Sequence, residues 1–480
     1  IIGFADRDKK KNLYNAAAVI CNKHLKGIYR KEELPNYGVF DEKRYFQQGK
    51  NNKIFSIGKE YFGVSICEDL WVDKGVCQWQ ARAGAQLLIN LSASPYDVGK
   101  FKEREKLLKK RAKKEKVFVC YVNLVGGQDE LVFDGGSLIV DPQGTIVASG
   151  KQFCEDLVIA DINIGGSRAK GAGVSNIISL GQQCPKEKQP IKKHLSKRLS
   201  QDERVYQALV LGTRDYARKN GFQKAVLGLS GGIDSALVAA ISVDALGKDN
   251  VIGVTMPSQY TSKGTKTDAQ RLSKNLGIRL IEVSIERIFK VYLFELKNKL
   301  KGTPFGIAEE NLQARIRGDI LMTLSNKYGW LVLTTGNKSE VAVGYCTLYG
   351  DMTGGFAVIK DVPKTKVYDL ARLRNLKGQN DIPASILKRA PSAELRANQK
   401  DQDSLPAYDI LDEMIREYIE KHWSLEKMAR KNDLLLVKDV IKMIDHSEYK
   451  RRQAPPGIKI TPRAFGKDWR LPITNRYKEE

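Results

Sequence analysis

Ser230-Gly231-Gly232-Ile233-Asp234-Ser235 sets two hydroxyls, two adjacent glycines and a carboxylate between an apolar run, Val226 to Leu229, and a helical pattern at Ala236, Leu237, Ala239 and Ala240. Adjacent glycines let the backbone turn sharply and gather several N–H groups around an anion, and the helix that follows adds its unpaired amides and its dipole. A phosphate is the expected guest, with Ser230 and Ser235 donating hydroxyl hydrogen bonds to it. Asp234 beside a polyanion calls for a divalent cation between them. The G-x-x-x-x-G-K-[ST] spacing of a Walker loop is absent. A glycine turn joining a strand to a capped helix is the plain alternative; six residues in strand–turn–helix order favour the phosphate.

Three further constellations could do chemistry. Trp330 to Leu333 reads as a strand that opens into Thr334-Thr335-Gly336-Asn337-Lys338-Ser339-Glu340, followed by Tyr349-Gly350-Asp351 and Pro363-Lys364-Thr365. Glu340 and Asp351 then lie at a strand end facing phosphate, and Glu340 with Asp234 makes a plausible Mg²⁺ pair. On a helix, Asn311 and Arg315 are four apart and share a face, offering an amide and a guanidinium to an anion, although an exposed polar stripe explains them equally well. In the first half, Tyr61 to Ile66 reads as a buried strand ending on Cys67, with Lys31 supplied by another strand end. A nearby cation lowers a thiol's pKa and steadies the oxyanion formed when an amide is attacked. Cys-Glu-Asp occurs again at Cys154, so the tripeptide alone is weak; only Cys67 has the Leu70-Trp71 continuation and the Lys31 segment upstream.

Ser-Gly-Gly-Ile-Asp-Ser resembles the pyrophosphate loop of the ATP pyrophosphatases. The Lys31, Glu42 and Cys67 segments resemble the carbon–nitrogen hydrolase (nitrilase) family, and Thr-Gly-Asn-Lys-Ser-Glu, Tyr-Gly-Asp and Pro-Lys-Thr resemble the NAD synthetases. Together they are similar to the glutamine-dependent NAD synthetases over nearly the whole chain. That resemblance implies ATP, deamido-NAD and glutamine or ammonia as substrates, with Mg²⁺. It makes Cys67 the nucleophile, Lys31 its oxyanion partner and Glu42 an accessory glutamate, with Tyr37, Ser94 and Lys100 holding glutamine. It assigns ATP to residues Ser230 to Ser235, Thr335 and Lys364, and deamido-NAD to Asn311, Arg315, Glu340 and Lys450. Asp351 becomes the group that binds ammonium and takes its proton, and Lys388 to Arg396 with Asp401 to Pro406 a flexible segment over the site. The family's general-base glutamate precedes the lysine, yet no glutamate occurs here before Glu32. The sequence is therefore expected to lack the start of this domain and to show little or no amidase activity.

The elements that must position these groups follow from pattern. At 480 residues, 42% hydrophobic and 28% charged, the chain has room for two cores. Residues 1–165 alternate strands and helices, as in an α/β layered domain, which the resemblance makes an incomplete nitrilase-like α-β-β-α domain. Asn12 to Cys21 is expected to be a helix, and Leu157 to Ile162 a strand. Residues 166–200 turn to Gly, Ser, Lys and Gln, as a connecting segment does. Residues 201–480 repeat βαβ units, so a doubly wound parallel sheet is expected, with its ligand at the strands' carboxyl ends. Seven scattered cysteines without CxxC spacing exclude a disulfide framework or a zinc site. No apolar run nears the ~20 residues of a membrane span, which places the chain in the cytoplasm. The net charge of +24 favours anionic partners, but basic patches at Lys106–Lys116 and Lys186–Arg198 carry no nucleic-acid motif, and anionic nucleotides are the preferred partners. A homo-oligomer is expected. The competing readings are another ATP-pyrophosphatase amidotransferase, such as a GMP synthetase or an asparagine-forming enzyme, a basic RNA-binding or tRNA-modifying protein, and a catalytically silent relic.

Overall fold

The structure, a computed structural model, describes residues 1–50, 53–164, 176–182, 189–376, 380–396 and 398–475. Much of the expected connecting segment and Lys186 to Lys188 of the basic patch lie outside the described residues. The chain divides into two compact units, one of Ile1–Gly126 with Phe133–Leu199, the other of Gly127–Val132 with Ser200–Glu480.

The first unit opens with three antiparallel strands, β1 (Ile2–Arg7), β2 (Leu13–Cys21) and β3 (His24–Arg30). The expected helix over Asn12 to Cys21 is thus the central strand β2. It pairs with a neighbour on each edge, and Ala16 and Ala17 are fully buried; hydrogen bonding on both edges outweighs the helix preference of an alanine run. A second, seven-stranded sheet contains β4 (Ile54–Ile57), β5 (Glu60–Ile66), β6 (Leu87–Ser92), β7 (Phe118–Asn123) and three short strands. Strands β5, β6 and β7 are parallel, linked by α1 (Val76–Arg82) and α2 (Lys100–Glu115). One core joins Ala17, Val19 and Tyr29 of the small sheet to Val64, Leu88 and Val119 of the large one. Leu157 to Ile162 forms no strand, and Leu157 and Ile159 are exposed, so nothing packs on them to hold one.

In the second unit, α3 (Gln201–Lys219) starts on a Ser200–Glu203 capping box. Five parallel strands follow in the order Arg279–Glu282, Val251–Thr255, Ala225–Gly228, Leu331–Thr334, Phe356–Ala357. The chain winds outward from Ala225–Gly228 in one direction through the helices Ile233–Leu246 and Lys263–Leu276, then returns through Ile307–Tyr328 to the other side. That reversal is the topological switch point, where a doubly wound sheet opens a crevice at its carboxyl edge. Between Asp234 and Asp244 the helix Ile233–Leu246 is almost wholly apolar and buried, as a helix within a layered core must be.

Candidate active site

In the first unit Cys67 stands at the turn after β5, with φ +43°. A non-glycine residue in the left-handed region costs roughly 1–2 kcal/mol, and the sharp turn sets its thiol at the sheet's carboxyl edge. Lys31, just past β3 and 1% exposed, donates from Nζ to both carboxylate oxygens of Glu42, at 2.7 and 2.8 Å. Burial pushes the Cys67 thiol up, and the nearby Lys31 ammonium draws it only part of the way back. Lys31 acts in the expected direction but burial outweighs it, so at neutral pH Cys67 is a thiol that needs a base. Tyr37 donates its hydroxyl to Glu68, Ser94 lies just past β6 with its N–H on Asn123 Oδ1, and Lys100 lies over the Trp71 ring. Cys154, in the second Cys-Glu-Asp, is an exposed loop thiol.

Sequence reasoning missed Asp69. It is fully buried and accepts from Tyr29 Oη and the N–H groups of Glu33 and Ile66, each at 2.8 Å, so it ties the Lys31 strand end to the Cys67 turn. Burial raises its pKa to about 6. Its only signal was the Cys-Glu-Asp tripeptide.

In the second unit a cavity of about 310 Å³ opens at the switch point, lined by the Ser230–Ser235 loop, Thr335, Glu340, Asp351 and Lys364 among others. No side chain caps the helix that starts at Ile233, so its first amides remain for a ligand. Gly231 has φ +80°, and a Cβ there would lie 2.3 Å from the Thr265 carbonyl oxygen. Gly231→Ala is expected to push the loop off its neighbouring helix at a cost above about 1–2 kcal/mol, read as a lower Tm together with lost ATP binding. An unchanged Tm and ATP affinity would contradict that.

Lys364 Nζ lies 2.5 Å from Asp234 Oδ2 and 3.2 Å from Glu340 Oε1. Burial disfavours its charge, but the two carboxylates outweigh burial and raise its pKa. Burial pushes Glu340 up to about 8; Lys364 opposes that shift and the Asp234 charge adds to it, so at neutral pH Glu340 holds a proton that a second cation would displace. Asn337, also missed, holds the pair together: Nδ2 donates to Asp234 Oδ1 at 2.9 Å, and Oδ1 accepts from the Glu340 N–H at 3.0 Å. The helix-capping pattern Asn-x-x-Glu was its signal. Lys338 is a buried anchor, bonded through Nζ to Glu420, Thr461 and the Arg463 carbonyl. Asp351 lines the cavity, accessible yet walled by protein, and burial raises its pKa to about 6.

The expected dinucleotide contacts do other work here. Asn311 Oδ1 accepts from Thr347 Oγ1 at 2.6 Å, Arg315 Nε donates to Leu348 O at 3.2 Å, and Lys450 Nζ donates to the carbonyls of Gly344 and Cys346. All three clasp the loop that carries Asp351. The segment from Arg389 to Leu395 covers the cavity; Arg389 donates to Gly231 O and pairs with Asp268, and Glu394 accepts from Thr265 Oγ1.

Residues 205–454 match the NAD synthase family, and residues 1–170 the carbon–nitrogen hydrolase family. The glutamine-dependent NAD(+) synthetase of Thermotoga maritima is 49% identical across 100% of this chain and 85% of its own, and that of Aquifex aeolicus 48% identical across 97% and 84%. The chain belongs to the glutamine-dependent NAD synthetase family. A solved structure of the Acinetobacter baumannii glutamine-dependent NAD⁺ synthetase with ADP matches at 40% identity and a TM-score of 0.73, over 100% of this chain and 84% of that one. Membership in this synthetase family decides against the GMP synthetase and RNA-binding readings. It also explains why one chain carries both a thiol-centred site and a phosphate loop.

Proposed function

We propose that the chain amidates deamido-NAD to NAD at the expense of ATP, taking ammonia from glutamine hydrolysed in the first unit or from solution. The observation that carries this is the Asp234–Lys364–Glu340 cluster set against uncapped helix amides in a cavity at the switch point. A carboxylate does not accept ammonia, because its anion repels nucleophiles and oxide is not a leaving group. Transfer of the adenylyl group from ATP to the nicotinate carboxylate gives an acyl adenylate and pyrophosphate; ammonia then displaces AMP.

The roles follow from position. The loop amides with Ser230 and Ser235 hold the β and γ phosphates, Thr335 contacts ATP, and Lys364 turns from its carboxylates to offset phosphate charge as it develops. Asp234 and Glu340 fit a Mg²⁺ ion: both already reach one cation, and Mg²⁺ takes one or two carboxylates with phosphate oxygens completing its shell. Bound there, Mg²⁺ supplies charge neutralisation. In the first unit Cys67 attacks the glutamine carboxamide beside Lys31, with Glu42 fixing that lysine, while Tyr37, Ser94 and Lys100 hold the substrate. Asn311, Arg315 and Lys450 serve deamido-NAD by shaping the loop of Asp351. The reading includes a homo-oligomer and a cytoplasmic setting; no helix among the described residues is long and apolar enough to cross a membrane, and the named relatives are bacterial. Residues 1–165 are taken as the glutaminase domain, 166–200 as its connection and 201–480 as the synthetase domain.

Asp351 gives this reading a pH signature. Its pKa, raised to about 6, means that the carboxylate able to take ammonium's proton exists above that pH and is lost below it. With rates expressed per ammonium, turnover is expected to be level above pH ~6 and to fall about tenfold per unit below it. Asp351→Asn should lower the plateau and abolish the inflection. An inflection that persists in the variant assigns it elsewhere.

A further inference from the structure

Among the described residues, two cations of the cavity wall have no carboxylate within 4.0 Å, Lys360 and Arg317. Lys360 is spent on the Pro455 carbonyl, to which Nζ donates at 2.7 Å. Arg317 is different. Its Nε donates to the Met256 carbonyl at 3.1 Å, just past the strand Val251–Thr255. A guanidinium has five N–H donors, so four remain. The other cavity cations are engaged: Lys364 by Asp234 and Glu340, and Arg389 by Asp268 and the Gly231 carbonyl.

The sequence places Arg317 there by helical period. Ala314, Arg317, Gly318 and Leu321 recur at the spacing of one helix face, and all four line the cavity. Three of them are small or apolar. At Gly318 a Cβ would lie 3.0 Å from Tyr349 O and 3.1 Å from Gly350 O, so the helix runs close against the loop that ends in Asp351. Arg317 therefore reaches from the side of the cavity that carries Asp351 to the strand end beside the phosphate loop. Burial lowers its pKa to about 10, with Glu394 and Asp351 opposing that shift, so it remains charged at neutral pH. A guanidinium with no carboxylate in contact at such a site selects an anion, and its planar fork matches two oxygens of one phosphorus.

Accepting the adenylation chemistry proposed above, we infer that Arg317 is a catalytic residue whose guanidinium holds the non-bridging oxygens of the ATP α-phosphoryl group while the deamido-NAD carboxylate attacks it. In that step a carboxylate oxygen forms the new O–P bond. The bond from the α phosphorus to the bridging oxygen breaks, and its electron pair leaves with pyrophosphate; no proton moves. Two anions are driven together, and Arg317 is the described cavity cation whose N–H groups remain for them.

The test is exchange of labelled pyrophosphate into ATP, dependent on deamido-NAD and run without a nitrogen donor. Arg317→Gln is expected to lower the exchange kcat about 10²–10³-fold with little change in KM for either substrate. Arg317→Lys, which keeps the charge and the fold but loses the fork, should retain about a tenth of the wild-type rate. Wild-type exchange in the lysine variant would overturn the inference. So would a glutamine variant whose defect is confined to KM for ATP, since that marks a nucleoside contact. Absence of exchange in the wild-type protein would instead defeat the adenylation reading itself.

Discussion

Asp234→Ala is expected to lower NAD formation at least about 10²–10³-fold with either ammonium or glutamine, because both donors feed the same adenylation step. In the structure Asp234 accepts Lys364 Nζ at 2.5 Å and Asn337 Nδ2 at 2.9 Å, at the first turn of the helix that carries the phosphate loop. Removing it takes one carboxylate from the metal pair and leaves Lys364 on Glu340 alone, at 3.2 Å. Stability should change far less than activity, because the substitution leaves Lys364 a carboxylate partner in Glu340. Initial rates at saturating ATP and deamido-NAD, beside a melting curve, separate the two effects. Ammonium-driven turnover equal to wild type would remove Asp234 from the metal site.

Cys67→Ala is expected to split the two nitrogen donors. Attack of the thiol on the glutamine carboxamide forms a γ-glutamyl thioester and releases ammonia, and water then frees glutamate; without sulfur neither bond can form. Whatever glutamine-driven rate the wild type shows should fall about 10³-fold or more, while ammonium-driven synthesis keeps its wild-type rate. The wild-type glutamine rate depends on a base, because burial holds Cys67 as a thiol despite Lys31. Labelling supplies a second readout: a glutamine analogue with an electrophilic group in place of the amide should modify Cys67 and spare buried Cys77 and exposed Cys154. Loss of both donors in Cys67→Ala, or labelling at Cys154, would show the two units to be wrongly assigned.

What the sequence revealed and what it hid have separate causes. The phosphate loop was legible because glycines, hydroxyls and a following helix are local requirements, and Gly231 at φ +80° is such a requirement. The parallel sheet of the second unit was legible because each βαβ step announces itself in period and length. The Asn12 to Cys21 helix was misread because alanine carries no strand signal; only pairing with β1 and β3 makes it one. Leu157 to Ile162 fails in the opposite way, with strand-like residues left exposed and unpaired to any strand. In the sites, charge types were legible but partners were not. Lys364 between Asp234 and Glu340, separated by 130 and 24 positions, is a tertiary fact. So is the engagement of Asn311, Arg315 and Lys450 with the Asp351 loop, since their spacing fixes a face but not what that face meets.

The most direct measurement follows the fate of ATP during synthesis. With deamido-NAD, ammonium and Mg²⁺, the protein should form NAD, AMP and pyrophosphate in equal amounts, with no ADP. ADP and phosphate as the products, or no NAD from folded protein supplied with ammonium, would contradict adenylation at the Ser230–Ser235 loop.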